Sequence, residues 1–340
     1  MSIVAVVHGQ TVTMHISTSS RREVYMNDLI REIENADSIA ITGHINPDGD
    51  CIGSTLGMYN YITNNYPGKK VQVYLQEFPD VFMFLNGASE VKHETDDEIY
   101  DLFMSLDCGD PDRFTPFAQY FETAKRTLCI DHHISNKGFG DVCYVEPQAC
   151  SAAEAIFKLL DEDKINQPCA EALYMGIVHD TGVFKHSNTT RSAMTIAGIL
   201  IEKGARPSFV IDETFYKKTL TQNKLLGYAL LGMKQFANGK IAHTLLTFED
   251  FEKFGASKMD TDGIVDQLRL TSGTEVAFFM YQSGENEYKI SLRANNIVNV
   301  SEIACSHGGG GHVKAAGCNI KGDPDKIVAE IVAEIEKQLV

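Results

Sequence analysis

The sequence has no Cys-x-x-Cys pair, few prolines (9), no run near the ~18 consecutive apolar residues of a membrane-spanning helix, and a shortage of positive charge. Each absence excludes something. Without a long apolar run, no membrane partner is expected. Lys and Arg number 30 against 46 Asp and Glu, a net charge of −16, which opposes long duplex DNA because such binding relies on neutralising many phosphates. Small anions remain compatible if cations are concentrated locally. The eight cysteines, in a chain long enough to bury its own core, read as reduced thiols of a cytoplasmic protein. The start, MSIVAVVHGQ, carries no basic residue ahead of its short apolar run, so no secretory signal is expected.

What is present is ordinary for a globular protein. With 340 residues, 44% of them hydrophobic, a proper core can form, and the length favours two domains or one large one. Residues 1–20 alternate apolar and polar positions and read as an extension or an edge strand. Apolar spacing predicts a helix over 27–35. Buried-strand signals follow at 38–43, 71–75, 102–106 and 127–130, alternating with helical stretches at 53–62, 111–124, 151–160 and 170–178. That alternation predicts an α/β fold with a mostly parallel sheet. After about residue 205 the texture changes. A helical linker is expected over 206–235, then a strand at 241–248, a helix around 259–270, a hairpin of 275–282 with 287–294, and a last helix at 325–339. The expected domains are therefore 1–205, joined by the linker 206–235 to a smaller α/β domain at 236–340.

Four His/Asp clusters stand out. They are His44-Ile-Asn-Pro-Asp48-Gly-Asp50 after the first buried strand, Asp107 after LFMSL, Asp131-His132-His133 after TLCI, and Asp180 at the end of a helix. Taken singly, each is weak, since Asp after a strand is a common helix N-cap. Three of the four sit at strand carboxyl ends, where open parallel sheets bind ligands, so the fold would bring them together. Five carboxylates and three imidazoles on one edge would repel strongly unless cations neutralised them. Mixed carboxylate and imidazole donors suit a first-row divalent ion such as Mn²⁺ better than calcium, and their number suits two ions better than one. Such a pair can clamp a phosphoryl oxygen, so a metal-dependent phosphohydrolase is expected. Near the carboxyl end, Gly308, Gly309, Gly310 and Gly311 lie between His307 and His312. They could offer amide groups to an anion, helped by a helix beginning at VKAA and by Arg293 on the preceding strand.

Together these segments resemble the DHH/DHHA1 phosphoesterase family, and within it the nanoRNase/pAp-phosphatase branch. HINPDGDCIGS, LDCGD, DHH and DTG match its four metal-site motifs in order, and GGGGHVKAAG matches the substrate motif of its DHHA1 domain. The resemblance implies an active site in the cleft between a DHH and a DHHA1 domain. His44, Asp48 and Asp107 would hold one metal, and Asp50, Asp107, His132 and Asp180 the other, with Asp107 bridging. His133 would face the substrate phosphate, and Asp131 would orient the neighbouring imidazoles. Arg293, His312 and the Gly308–Gly311 backbone would grip the substrate. Packing roles are expected for His179 and Cys108. The implied reaction is hydrolysis of short oligoribonucleotides, of linear dinucleotides such as pApA, and of 3′-phosphoadenosine 5′-phosphate (pAp), by a hydroxide bridging two metals. A cyclic-dinucleotide (c-di-AMP) phosphodiesterase is the alternative enzyme, and a nucleotide sensor without turnover the alternative of another class. A homodimer is compatible with what relatives of this family do.

Overall fold

The computed structural model describes residues 2–7, 10–15 and 18–339, with side-chain surroundings from Glu23 onward. It divides into two compact units, one up to Lys217 and one from Lys218. In chain order, the first contains β1 (Ser2–Val7), β2 (Gln10–His15), α1 (Thr18–Asn35), β3 (Ser38–Thr42), α2 (Gly49–Asn65), β4 (Lys70–Tyr74) and β5 (Leu102–Leu106). Then follow α3 (Ala118–Thr123), β6 (Arg126–Asp131), β7 (Val142–Val145), α4 (Ala152–Phe157), α5 (Gln167–Asp180), α6 (Arg191–Glu202) and α7 (Pro207–Ile211). Strands β3 to β7 make an all-parallel sheet in the order β4-β3-β5-β6-β7.

A parallel sheet is covered on both faces, so its strands must be apolar at successive positions. LFMSL is buried throughout and divides by alternation. Leu102, Met104 and Leu106 join the larger core with α2, α4 and α5, whereas Phe103 joins Phe114, Phe117 and Tyr120 on the other face. The first strand of this sheet lies between the second and the third. The direction of winding therefore reverses between β3 and β5, and a crevice opens beyond their carboxyl ends. Ser2–Val7 and Gln10–His15 pair antiparallel, and among the described residues neither is hydrogen-bonded to the larger sheets. The single helix expected over 111–124 is instead a 3-10 segment, Pro111–Phe117, followed by α3. Phe114 leaves helical angles there, and Pro116 has no amide hydrogen to donate.

The second unit contains α8 (Leu220–Leu231), β8 (Lys234–Phe236), β9 (Ile241–Leu246), α9 (Phe248–Phe254), α10 (Ile264–Arg269), β10 (Val276–Gly284) and β11 (Glu287–Ala294). It ends with α11 (Val300–Ser306), β12 (Gly310–His312), β13 (Ala315–Lys321) and α12 (Pro324–Gln338). Its sheet runs β12-β13-β11-β10-β9-β8, with three-residue strands at both edges and only β9 and β10 parallel. Along β10, Val276, Phe278 and Met280 pack with α11 and α12, and Ala277 and Phe279 with α8 and α10. The stretch 206–235 is helical but not continuous. It breaks at Lys217–Thr219 between the two units, and residues 234–236 form strand β8.

Two elements near the carboxyl end differ from expectation. No helix starts at VKAA, because Ala315–Lys321 is strand β13, paired with both β11 and β12. The glycine run begins as the C-cap of α11. Gly308 has φ 73°, its N–H donates to the Cys305 carbonyl (3.0 Å), and the Gly309 N–H donates to that of Ala304 (2.8 Å). This is a Schellman closure, so the Gly308 and Gly309 amides are already engaged, while Gly310 and Gly311 enter the β12–β13 ladder.

Candidate metal centre

The crevice between β3 and β5 gathers all eight His and Asp residues singled out from the four clusters. After β3 the chain turns through Asn46, and Asp48 caps α2, its Oδ1 accepting from the amides of Asp50 and Cys51 (both 3.1 Å). His44 is buried. Its Nδ1 lies 2.8 Å from the Ile45 carbonyl, which fixes the proton on that nitrogen and leaves Nε2 directed at Asp107 Oδ2 (3.5 Å) and Asp48 Oδ1 (3.7 Å). Asp107 follows β5. Its carboxylate is 3% exposed, and its Oδ1 has no hydrogen-bond partner while lying 3.5 Å from His132 Nε2 and 3.6 Å from His133 Nδ1.

Asp50 enters from the first turn of α2. Its oxygens accept from the Ala152 (2.6 Å) and Ala153 (3.0 Å) amides at the start of α4 and from the Ser54 hydroxyl (3.2 Å). His132 Nε2 lies 3.9 Å from Asp50 Oδ2 and 3.3 Å from Asp180 Oδ2, at the end of α5. Small residues permit that approach of α2 to α5. A Cβ on Gly53 would meet the Ala172 carbonyl at 2.5 Å, and one on Gly176 would meet Asp50 Oδ1 at 2.7 Å. His133, one-third exposed, has its Nδ1 held by Asp131 Oδ1 (2.7 Å), and the fully buried Asp131 accepts from Asn136 Nδ2 through its other oxygen (2.7 Å).

The electrostatics are those of a site that needs cations. Burial pulls both imidazole pKa values down, but Asp107 and Asp48 outweigh it at His44, and Asp107, Asp50 and Asp180 at His132. Both values rise from 6.5 to about 10. Burial, reinforced by Asp107 and Asp48, pushes Asp180 up to about 7 against the pull of His132. Burial and the Asp107 and Asp180 charges raise Asp50 well above the ordinary carboxylate range. Self-repulsion on this scale is relieved by protons or by metal. Among the described residues, three groups of side chains are close enough to hold an ion: Asp107 with His132 and His133, Asp50 with His132 and Asp180, and His44 with Asp107 and Cys51. The donor set, with an unpartnered buried carboxylate oxygen at its centre, fits divalent cations.

Several supports escape sequence reading. Four non-glycine residues with left-handed backbone flank the cluster: Asn46 (φ 53°), Asp107 (54°), Val183 (58°) and Phe184 (61°). Such strain concentrates at functional sites. Asn136 and the Ala152 and Ala153 amides lie outside every motif, and Cys51 lies inside HINPDGDCIGS without being a ligand candidate there. His179 lies between Phe82 and Phe215, where burial lowers its pKa to about 4, and the Cys108 thiol donates to the Asp110 carbonyl. Arg293 and His312 belong to the second unit. His312 pairs with Ala315 and Ala315 with Arg293, so both occupy one row and one face of the sheet, two strands apart. Arg293 Nε is 3.7 Å from Asp266 on α10.

A switch-point sheet carrying a buried Asp/His cluster defines an α/β protein built to bind divalent cations, and comparison with known proteins gives the family. The DHH family N-terminal domain matches residues 38–177 and the DHHA1 domain residues 238–340, and the chain belongs to the DHH/DHHA1 phosphoesterases. It is similar to the bifunctional oligoribonuclease and PAP phosphatase NrnA of Bacillus subtilis, 29% identical over 311 residues that cover 89% of this chain and 96% of that one. Among solved structures, an exopolyphosphatase-related protein from Bacteroides fragilis superposes with a TM-score of 0.80 at 26% identity, covering 93% of this chain and 96% of that one. The cyclic-di-AMP phosphodiesterase PdeA of Listeria monocytogenes is 25% identical, but the chain spans 51% of its length. Among the described residues, no helix is long and apolar enough to cross a membrane.

Proposed function

We propose that this chain hydrolyses short oligoribonucleotides to mononucleotides and dephosphorylates pAp to AMP. The observation that carries the reading is Asp107. It is a buried carboxylate whose two oxygens face His44 on one side and His132 and His133 on the other, in a chain similar to the Bacillus enzyme over almost its whole length. His44, Asp48 and Asp107 would hold one divalent ion, and Asp50, Asp107, His132 and Asp180 a second, with Mn²⁺ the ion that best suits the donors. Bound there, the ions would lower the pKa of a water nucleophile and neutralise charge on the phosphoryl oxygens.

The chain's own groups do the rest. Asp131 fixes the His133 tautomer through Nδ1, so that Nε2 is free to donate to a substrate phosphate or to a leaving oxygen. Amides of α4 and the Ser54 hydroxyl hold Asp50, which removes the freedom that would otherwise oppose assembly of the site. Arg293 and His312 would recognise a substrate phosphate by charge-assisted hydrogen bonds.

The test is product release from pAp, pApA, a short RNA and c-di-AMP with Mn²⁺ and with EDTA. Metal-dependent release from pAp and RNA, with little from c-di-AMP, is expected. Dominant c-di-AMP cleavage would move the protein to cyclic-dinucleotide hydrolysis, and tight nucleotide binding without turnover would make it a sensor.

A further inference from the structure

All eight cysteines are free thiols, and two of them are neighbours. Cys129 on β6 and Cys143 on β7 occupy directly paired positions of adjacent parallel strands. Strands in a sheet lie ~4.8 Å apart, inside the ~4.4–6.8 Å Cα separation that a disulfide accepts. Paired positions direct their side chains to the same face, so the two thiols are neighbours across this strand pair. β7 is the edge strand of its sheet, and Cys143 is half-buried there while Cys129 is buried. The neighbouring Cys129 thiol outweighs burial and, aided by the Phe139 backbone, lowers the Cys143 thiol from 9.0 to about 7.

The pair also touches the loop that carries the two histidines. Asn136 Nδ2 lies 3.6 Å from Cys129 Sγ and donates at 2.7 Å to Asp131, the residue that holds His133. The Oδ1 of Asn136 accepts from the Gly138 amide (2.8 Å), and a Cβ on Gly138 would lie 3.8 Å from Cys143 Sγ. Cross-linking the two sulfurs would alter the packing beneath both ends of this loop.

We propose that Cys129 and Cys143 form a reversible disulfide, made by a peroxide, that draws Asn136 away from Asp131 and loosens the setting of His133. The Cys143 thiolate attacks one peroxide oxygen and breaks the O–O bond. The other oxygen takes a proton and leaves as water, and Cys143 becomes a sulfenic acid. Cys129 then attacks that sulfur, the S–S bond forms, and the remaining oxygen leaves as a second water. Together the thiols lose two electrons and two protons, which the peroxide accepts. A dithiol reductant reverses the reaction by exchange.

Full-length protein loaded with Mn²⁺ and treated with hydrogen peroxide tests this in two ways. Mass analysis should find two hydrogens lost and a cross-link between the peptides carrying residues 126–131 and 142–145, reversed by dithiothreitol and absent from Cys143→Ser. Turnover of pAp should fall about tenfold or more in the parent and recover on reduction, while Cys143→Ser, as active as the reduced parent, resists peroxide. The activity arm rests on the hydrolytic reading, and the mass arm does not. If the protein hydrolyses no phosphoester, amide exchange of residues 132–141 replaces turnover and should accelerate on oxidation. A parent protein without the cross-link, or one cross-linked with turnover and loop exchange unchanged, overturns the proposal.

Discussion

Asp107 combines two demands at one position. Its backbone is left-handed, a conformation that Asn also tolerates, and its carboxylate is buried among three imidazoles. Asp107→Asn should therefore fold as the parent does by circular dichroism, yet lose turnover of pAp by more than the ~10–100-fold typical when a partner of a ligand is removed. Activity near that of the parent would sink the bridging role. Asn136→Ala should leave the ligand set intact and lower kcat by about tenfold, because Asp131 loses its support and the loop loses its bonds to the Cys108 carbonyl and the Gly138 amide. Arg293→Ala should raise KM with little change in kcat, and an unchanged KM would remove Arg293 from substrate recognition. The His and Asp residues of this cluster were legible in the sequence because each motif is contiguous. Asn136 was not, because an ordinary Asn becomes part of the site only through contacts that the fold creates.

At the scale of elements, the crossing of α2 with α5 sets the distance between Asp50 and Asp180. Gly176→Ala would press a methyl group onto Ala153 Cβ and Asp50 Oδ1, both 2.7 Å from the added atom. The expected cost is about 1–3 kcal/mol of stability, with weaker metal binding as its specific signature. Denaturant unfolding and Mn²⁺ titration measure the two effects, and a variant with parental values for both would show that the helices can part without harm. The buried strands were legible from their apolar runs, and the switch-point position of the clusters followed from their places at strand ends. The segment after the glycines is a strand although VKAA has good helix propensity. Pairing of Ala315–Lys321 with strands on both sides supplies tertiary hydrogen bonds that override it. The amides that hold Asp50 lie about a hundred residues along the chain, beyond the reach of any local pattern.

For the whole molecule, the charged cluster couples stability to pH and to metal. His44 and His132 have folded pKa values raised from 6.5 to about 10, so their contribution is fully present below 6.5 and is lost as pH rises toward 10. Metal must displace those protons, so it binds better as pH rises. The rise in melting temperature given by Mn²⁺ over EDTA should accordingly be larger near the top of that interval than near its bottom, as differential scanning fluorimetry can show. An increment independent of pH would mean that the imidazoles are not ligands. The second unit's sheet has its own bearing on assembly. Both of its edges are strands of only three residues, one of them Gly-Gly-His. Each of these short strands itself offers a neighbouring chain little ladder to extend. Edge-to-edge fusion of copies of this unit into larger sheets is thereby disfavoured at these two strands.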